Sequence, residues 1–438
     1  MRIQIGLAVI SLATRAAAAD APTAVLFENV SIFDGVDAAL QRGHVLVEGD
    51  RISRVSPTPL EPPAGARIID GAGRVLSPGF VDLHAHLTLG LPREELNAHP
   101  MVVGARTAEV AEHYLMSGFT TVRDAGGTHP DLARAVERGW ITGPRIYPSG
   151  ATISQTSGHG DFRLRHEPHP VLDGHGDPYL ANGMAVIADG VPRTLAAVRE
   201  NLRAGATQIK IMGGGGVASD YDPIHTLQPS PEEIRAAVQA AGDWDTYVMA
   251  HSYTAEAIRR LVENGVEVIE HGLLIDEETA QLVADKGVAI STQVLVFRIG
   301  AEMPGLNDEN RRKFAQVQAG QDELMRLIRK YGIQTGFGTD LIFGTHTLLT
   351  KEFTARSDYF TPAEILRQAT SESAAIIRRC GRLNRHGDFG EIREGWKADL
   401  LLIEGDPFAD ISILERPEET LAMIMKDGVI VKEQTGQQ

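Results

Sequence analysis

Two histidines separated by one residue, His84 and His86, follow the apolar run GFVDL. Side chains alternate along a strand with a period of two, so both imidazoles face the same side of a strand that contains them. Two imidazole nitrogens placed in this way could chelate one metal ion. Taken alone, the pair is weak evidence, because neighbouring histidines also occur in ordinary protein cores.

Four further polar residues end apolar runs in the same way. Lys210 follows TQI, His251 follows TYVMA, His271 follows VEVIE and Asp340 follows QTGFGT. Each has an ordinary explanation by itself: a hydrogen-bonded core histidine for His251 or His271, and a helix N-cap for Asp340. No comparable explanation covers all six residues together, so the pattern predicts a metal site.

Lys210 lies in the stretch TQIKIMGGGG, directly before the glycine run Gly213–Gly216. A buried ammonium group is costly unless it is paired or neutralised. Either Lys210 reaches solvent or a salt-bridge partner, or the predicted site uses its nitrogen. The glycines lack the phosphate-binding order GxxxxGK[ST] and instead favour a backbone that turns close to the metal site.

The elements that would position these residues follow a strand–helix rhythm over residues 79–387. The strand candidates are FVDLHAHL, FTTVRDAG, RIYPSGATIS, TQIKIMG, TYVMAHS, VEVIEHG, VAISTQVL and QTGFGTD. Alternating strands and helices predict a parallel sheet, and eight such units predict an α/β fold of the (β/α)₈ TIM-barrel type. A doubly wound open sheet is the alternative. In a barrel, all six polar residues would lie at the carboxyl ends of strands, where barrel enzymes place their active sites.

The two ends of the chain have a different texture. Residues 20–78 and 388–438 contain short alternating runs separated by Gly, Asp and Pro, such as GHVLVEGDRISRV and TLAMIMKDGVIVKEQ. We expect these segments to form one small composite β-sandwich domain beside the barrel.

Residues 1–19 resemble a secretory signal, with a basic start, an apolar run and several small residues before a cleavage region. This pattern predicts an exported protein, periplasmic or secreted, although a frayed strand is the plainer alternative. Beyond this segment, no apolar stretch is long enough to span a membrane. The net charge of −16 argues against a general nucleic-acid partner. The single cysteine, Cys380, permits no internal disulfide and is expected to pack as a small apolar residue.

The sequence resembles the amidohydrolase superfamily, specifically its binuclear zinc members. The motifs that carry the resemblance are GFVDLHAHL, the strand lysine, the two later histidines, GTD and the closing GEIREGWKADLLLIEGDP. The resemblance covers nearly the whole chain. It implies two Zn²⁺ ions, with His84, His86 and Asp340 on one and His251 and His271 on the other. Lys210 would be converted to an N6-carboxylated lysine, a carbamate with one oxygen for each metal.

The resemblance also implies a mechanism. Zinc lowers the pKa of bound water, so a hydroxide bridging the metals would attack a polarised carbonyl. Asp340 would accept the proton and pass it to the leaving nitrogen, which completes the hydrolysis of an amide-like bond.

Two stretches, TISQTSGHGDFR and AHSYT, resemble the branch of metallo-dipeptidases that cleave Xaa-Pro and related substrates, a branch that includes amidases acting on ochratoxin A. By this resemblance His159 would act in catalysis by polarising the substrate carbonyl, and Tyr253 would contact the substrate α-carboxylate. Arg163 could add positive charge for that carboxylate. The plainer alternatives are a turn histidine, a tyrosine packed against the next helix and a surface arginine.

The function predicted from the sequence is therefore release of a C-terminal amino acid from dipeptides or N-acyl amino acids, including substrates like ochratoxin A. A cyclic-amide or lactone hydrolase with the same metal centre is the first alternative, and a non-catalytic binding protein is the second. The resemblance implies a homo-oligomer, with an octamer among its forms. Residues 296–325 form a long insertion after the seventh strand: a lid, an oligomer contact or a solvated helix.

Overall fold

A computed structural model describes residues 24–170, 172, 183–303 and 306–434. The predicted signal segment, 1–19, lies outside the described residues. In chain order the strands β1 to β18 are Ala24–Ile32, Gln41–Glu48, Arg51–Ser56, Arg67–Asp70, Val75–Pro78, Phe80–Ala85, Phe119–Asp124, Arg145–Pro148, Thr152–Ser154, Ala185–Ile187, Ile209–Met212, Val248–Thr254, Val268–Leu274, Ala289–Thr292, Thr335–Phe337, Leu400–Ile403, Leu421–Lys426 and Val429–Glu433.

The α-helices are Pro100–Met116, Asp131–Glu137, Val191–Ala204, Pro231–Gly242, Ala255–Glu263, Glu277–Asp285, Leu295–Ile299, Asp308–Gln318, Gln321–Tyr331, Lys351–Arg356, Pro362–Arg367, Ser373–Ile377 and Pro417–Thr420. Short 3₁₀ turns span Gly300–Glu302, His346–Leu348, Arg378–Leu383 and Ile411–Glu415, and a π-helical turn spans Gln368–Glu372. Within the described ranges, no helix is both long and apolar enough to cross a membrane.

Strands from both ends of the chain share one sheet. Its order is β18-β17-β16-β5-β1-β2-β3, with β4 paired to β1. β5 pairs antiparallel with β16, so the N-terminal strands join the C-terminal strands in the middle of the sheet. Alternate apolar residues of these strands, among them Phe27, Val45 and Leu402, form one core cluster. That the sheet forms a two-layered sandwich stays a prediction.

The middle of the chain contains parallel strands joined by helices, as the strand–helix rhythm predicts. Strands occur in all eight predicted segments. β6, β7 and β8 form one parallel sheet, and a second runs in the order β10-β9-β11-β12-β13-β14-β15. β9 lies in the same predicted segment as β8, RIYPSGATIS, whereas β10 lies outside the eight predicted segments. β10 pairs with β9, and β9 pairs with β11 only at Ile211.

Backbone hydrogen bonds connect the two parallel sheets on both sides. On one side, the N–H of Thr207, just before β11, donates to the carbonyl of Pro148 in β8 at 2.8 Å. On the other side, the N–H of Asp340, just after β15, donates to the carbonyl of His84 in β6 at 2.8 Å. The first and last strands of the repeat are therefore neighbours, which places His84 beside Asp340.

The helices cover these sheets with one apolar face each. In the helix Ala255–Glu263, the buried residues Ala257, Ile258, Leu261 and Val262 recur at helical spacing. Its first turn is capped by Thr254, the residue that ends β12, whose side chain accepts a hydrogen bond from the N–H of Ala257. The start of the helix thus fixes the end of the strand that contains His251.

A buried ion pair ties the terminal sheet to the parallel strands. Arg145 of β8 contacts Asp399 through two nitrogen–oxygen pairs, at 2.5 and 3.2 Å. Arg145 also contacts Asp427, between β17 and β18, at 2.5 Å. Arg145 and Asp399 are buried, so each needs the other as a counter-charge.

We expect Asp399→Ala to destabilise the protein by about 3 kcal/mol or more, because it leaves the Arg145 charge incompletely paired inside the protein. Urea unfolding followed by circular dichroism measures the change. Glu200→Ala is the matched control: it removes an exposed carboxylate paired with Arg203 and should leave the midpoint unchanged. Equal midpoints for Asp399→Ala and the wild type would contradict a structural role for this pair.

Candidate metal centre

Strand register brings the six predicted metal-binding residues to one end of the parallel sheets. His84 lies in β6, and His86 follows that strand directly. Lys210 lies in β11, whose last residue, Met212, pairs with His251 of β12. Ser252 of β12 in turn pairs with His271 of β13.

Three of the six residues converge closely. The Nε2 atoms of His84 and His86 are 3.2 Å apart, and each lies within 3.3 Å of the same carboxylate oxygen of Asp340. Asp82 fixes this geometry: one of its oxygens accepts the backbone N–H groups of His84 and Thr339, at 2.8 and 3.2 Å. Two imidazole nitrogens aimed at one carboxylate oxygen are a suitable beginning of a zinc site.

The other two histidines lie beside this group. The ring of His271 is 4.9 Å from that of His84 and 4.8 Å from that of His251, measured between centroids. Ligating atoms of His84, His271 and Asp340 all lie within 4.8 Å of one another. Lys210, only 1% exposed, lines the same cavity as all five residues.

Hydrogen bonds at the rear nitrogens orient the imidazole rings. Nδ1 of His84 contacts Glu270 at 2.5 Å, Nδ1 of His86 contacts the carbonyl of Gly126 at 2.8 Å, and Nδ1 of His271 contacts Gln293 at 2.7 Å. A ring that donates from Nδ1 keeps Nε2 as the free lone pair, which is the form that binds a metal.

Glu270 is a site residue that the sequence analysis missed. Its second oxygen contacts Arg123, so the carboxylate lies between an arginine and His84, one of the candidate metal donors. Glu270 and Arg123 are both fully buried. The available signal was an acid inside the apolar run VEVIE, where a strand buried on both faces should contain none.

Burial and charge adjust the protonation of the donors. Burial lowers the pKa of His271 to about 3, and burial together with His159 and His271 lowers the pKa of His251 well below its usual value. Burial opposes ionisation of Asp340, but the facing histidines lower its pKa well below the usual value. Burial also lowers the pKa of Lys210. Two neutral imidazoles, an ionised carboxylate and an amine that loses its proton more easily are suited to cations.

His84 differs from the other histidines. Burial and Lys210 lower its pKa, but Asp340 and Glu270 raise it, and the net shift is upward. A bound metal would therefore displace a proton from this ring.

The backbone is strained at two of the donors. His271 has φ of 79° and Asp340 has φ of 52°, in the left-handed region that residues with a Cβ seldom adopt. Such strain persists only where the surrounding structure over-determines it, and it clusters at functional sites.

The glycine run after β11 allows the backbone to approach the site closely. The carbonyl of Gly215 lies 3.2 Å from Nε2 of His251. A Cβ atom at Gly216 would come within 1.7 Å of Nδ1 of His159. A side chain at Gly216 would therefore displace the His159 ring.

The residues predicted to contact substrate do not all reach this cavity. His159 and Tyr253 line it together with the metal donors, and the His159 ring stacks on His251 with centroids 4.1 Å apart. Arg163 instead lines a neighbouring cavity, where it forms two 2.7 Å hydrogen bonds with Asp161. A role for Arg163 in substrate binding stays a prediction.

The remaining wall of the cavity is apolar. Its side chains include Phe162, Phe297, Phe314, Met303 and Phe343. Apart from the metal donors and His159, the described side chains that line it are uncharged. Phe297, Met303 and Phe314 come from the 296–325 insertion, so this segment builds part of the site. Sequence reasoning could not select them, because apolar residues on a helix usually indicate packing.

Comparison with known proteins supports the same chemistry. Residues 75–431 match the profile described as the amidohydrolase family. Ochratoxinase of Aspergillus niger is 32% identical over 379 residues, which span 82% of this chain and 76% of ochratoxinase.

Solved structures of similar proteins share the fold. A prolidase complexed with N-methylphosphonate-L-proline has a TM-score of 0.86 at 37% identity. The match covers 94% of this chain and 100% of the prolidase chain. A Xaa-Pro dipeptidase with methionine bound in its active site has a TM-score of 0.82 at 27% identity, covering 93% and 100%. The fold is thus the TIM barrel-type, mixed α/β fold of amidohydrolases.

We expect Glu270→Gln to weaken zinc binding by about ten- to hundredfold, because the amide holds His84 less firmly. It should also lower the free energy of unfolding by about 3 kcal/mol or more, because Arg123 loses its buried counter-charge. Competition with a chromogenic chelator measures the first effect and urea unfolding the second. Glu278→Gln, an exposed position on the helix Glu277–Asp285, is the control. Unchanged zinc affinity in Glu270→Gln would rule out the orienting role.

Proposed function

The chain belongs to the amidohydrolase family, and we propose that it is a binuclear zinc hydrolase that releases a C-terminal amino acid from dipeptides or N-acyl amino acids. One observation carries the proposal. A single buried cavity contains the six nitrogen and oxygen donors expected for two metals, together with His159 and Tyr253. The similar prolidase, the similar Xaa-Pro dipeptidase and ochratoxinase support an amide as the bond that is cleaved.

The donors divide into two sets in this proposal. His84, His86 and Asp340 would hold one Zn²⁺, and His251 and His271 the other. The lowered pKa of Lys210 supports its reaction with carbon dioxide: the neutral amine forms a C–N bond, releases a proton and becomes an anionic carbamate. That carbamate would offer one oxygen to each ion. Bound zinc would supply hydroxide at neutral pH and polarise the scissile carbonyl.

The chain's own residues would handle the substrate and the proton. Asp340, ionised and beside His84 and His86, would accept the proton of the attacking water and deliver it to the leaving nitrogen. His159 would donate a hydrogen bond to the carbonyl oxygen. Tyr253, whose ring lies 4.8 Å from that of His251, would donate a hydrogen bond from its hydroxyl group to the substrate carboxylate.

The wall formed by Phe162, Phe297, Met303 and Phe314 favours apolar groups on the substrate. Each buried methylene gains about 0.8 kcal/mol, whereas a charged side chain would lose its hydration there without a counter-charge. Amides of proline, of phenylalanine and of aromatic acyl groups, ochratoxin A among them, have apolar groups that match the apolar character of this wall.

We also propose that the two parallel sheets close into one eight-stranded barrel, since backbone hydrogen bonds join them on both sides. Export of the protein and its assembly into a homo-oligomer are proposals from the sequence pattern and the family resemblance.

Lys210→Ala tests the metal bridge. Wild-type protein should contain about two zinc ions per chain, whereas the variant should bind less zinc and lose activity by about a hundredfold or more. Acetate or propionate should restore part of the activity, because a small carboxylate can occupy the place of the carbamate. Elemental analysis and initial rates give both values, with Lys286→Ala, an exposed lysine, as the control. Full zinc content and full activity in Lys210→Ala would contradict the assignment.

A substrate panel tests the apolar wall. We expect kcat/KM for Xaa-Pro, Xaa-Phe, N-acyl-phenylalanine and ochratoxin A to exceed that for Xaa-Arg and Xaa-Asp by about tenfold or more. Release of the free amino acid is the measurement. Turnover of ring-closed amides or lactones alone would overturn the assignment to C-terminal amino acids and favour the cyclic-amide alternative.

A further inference from the structure

The helix Asp308–Gln318 of the insertion contains two polar residues that are almost fully buried, Asn310 and Lys313, at 2% and 4% exposure. Both point at the loop that follows the glycine run. The Nζ atom of Lys313 donates to the carbonyls of Gly216, Ser219 and Asp222, at 3.1, 2.8 and 3.0 Å. A lysine with three carbonyl acceptors uses all the donors that it has.

Asn310 binds the same loop from the same helix. Its Nδ2 atom donates to the carbonyls of Val217 and Ser219, at 2.9 and 3.0 Å. Together the two side chains satisfy loop carbonyls that would otherwise be buried without partners, which costs free energy for each one. The loop therefore depends on the helix for its conformation.

The loop in turn holds His159. Nδ1 of His159 lies 2.6 Å from Oγ of Ser219 and 3.5 Å from a carboxylate oxygen of Asp222. The same Asp222 oxygen accepts the backbone N–H of Gly216 at 2.7 Å, so the carboxylate is fixed by the loop backbone. Gly216 packs against the Nδ1 edge of the ring, and His159 lines the cavity.

The buried carboxylate of Asp222 also lies near a positive charge, the ammonium group of Lys313. Asp222 is 1% exposed, and its other oxygen, which has no hydrogen-bond partner among the described residues, lies 3.7 Å from Nζ of Lys313. A buried carboxylate needs a counter-charge, and Lys313 is the cation that the helix supplies.

We propose that Asp222 and Ser219, held in place by Lys313 of the insertion, are positioning residues that orient His159 so that its Nε2 atom meets the substrate carbonyl. The inference rests on the proposed function for the role of His159. It gives the insertion a task that neither a lid nor an oligomer contact describes: its helix fixes the loop behind a catalytic group. Misplacing such a group by about 1 Å can cost about a hundredfold in rate.

A double-mutant cycle tests whether Asp222 acts through His159. In zinc-loaded protein, Asp222→Asn should lower kcat about tenfold or more and leave KM and zinc content within about twofold. In a His159→Gln background, the same change should have almost no further effect on kcat, because the group that it positions is absent. An equal loss in both backgrounds would overturn the proposal.

Lys313→Met tests the helix clamp, with Arg312→Met, an exposed arginine on the same helix, as the matched control. Hydrogen exchange of the amides from Gly216 to Asp222 should become about tenfold faster or more in Lys313→Met and stay unchanged in Arg312→Met. Exchange that is unchanged in Lys313→Met would overturn the clamp, and a uniform increase over the whole chain would reduce it to a general effect on stability.

A readout independent of turnover separates this inference from the proposed function. The ¹⁵N spectrum of histidine-labelled protein, with His159 assigned by its loss in His159→Gln, reports which ring nitrogen is engaged. We expect the Nδ1 signal of His159 to report its contact with Ser219 and Asp222 in the wild type and to shift in Asp222→Asn. If the wild type hydrolyses no amide but this change is seen, the proposed function fails and the positioning network stands. If amides are hydrolysed but the His159 signals are the same in both proteins, the network fails alone.

Discussion

The buried carboxylate of Glu270 is the interaction on which the metal centre depends. It lies between Arg123 and His84, and none of these three side chains has contact with bulk water. A buried carboxylate is tolerated only with a counter-charge and well-placed hydrogen bonds, and Arg123 provides both. Arg123 also donates to the carbonyl of Leu83 in β6 and to Tyr247. The orientation of the His84 ring is thus tied to the strand that contains it and to the packing beneath the cavity.

Asp82 extends this constraint to the other side of the site. Its carboxylate binds the backbone of both His84 and Thr339, so it ties β6 to the turn that contains Asp340. Burial lowers the pKa values of His251 and His271, so both rings are neutral imidazoles beside the ionised carboxylate of Asp340. Glu270, Arg123 and Asp82 hold the donors in place although none of the three is a candidate metal donor. The arrangement of the donors therefore does not depend on contacts between these residues and an ion.

The sequence located the six candidate metal donors more completely than the residues that line the rest of the cavity, and the reason is physical. His84, Lys210 and His251 lie in strands whose apolar runs are visible in the sequence, and Asp340 follows another such strand. Parallel strands bring their carboxyl ends together without further information. Glu270 was missed because a buried acid next to a histidine was taken as part of the strand. The placement of Phe314 or Asp222 depends on how a helix of the insertion and a loop pack, and neither has a periodic signal. Arg163 shows the same limit: its type suits a carboxylate, but the fold pairs it with Asp161 in the neighbouring cavity.

The two halves of the site are therefore built from different kinds of structure. The candidate metal donors lie on strands or in the turns directly after them, and the register of these strands cannot change without moving a whole face of side chains to the other side. Phe297, Met303 and Phe314 of the apolar wall lie on the insertion, and the residues behind His159 lie on the loop that follows the glycine run. The insertion and this loop touch each other through Lys313 and Asn310. In the proposed function, a change in this insertion would alter which amide fits and how His159 is oriented, while the strand register would continue to define the donors. Lys313 and Phe314 lie in the same turn of the helix Asp308–Gln318. Lys313 stabilises the loop and Phe314 lines the cavity, so a change in the position of this turn would affect both. In the proposed function, the fit of the substrate and the position of His159 would thus be coupled through one turn of this helix.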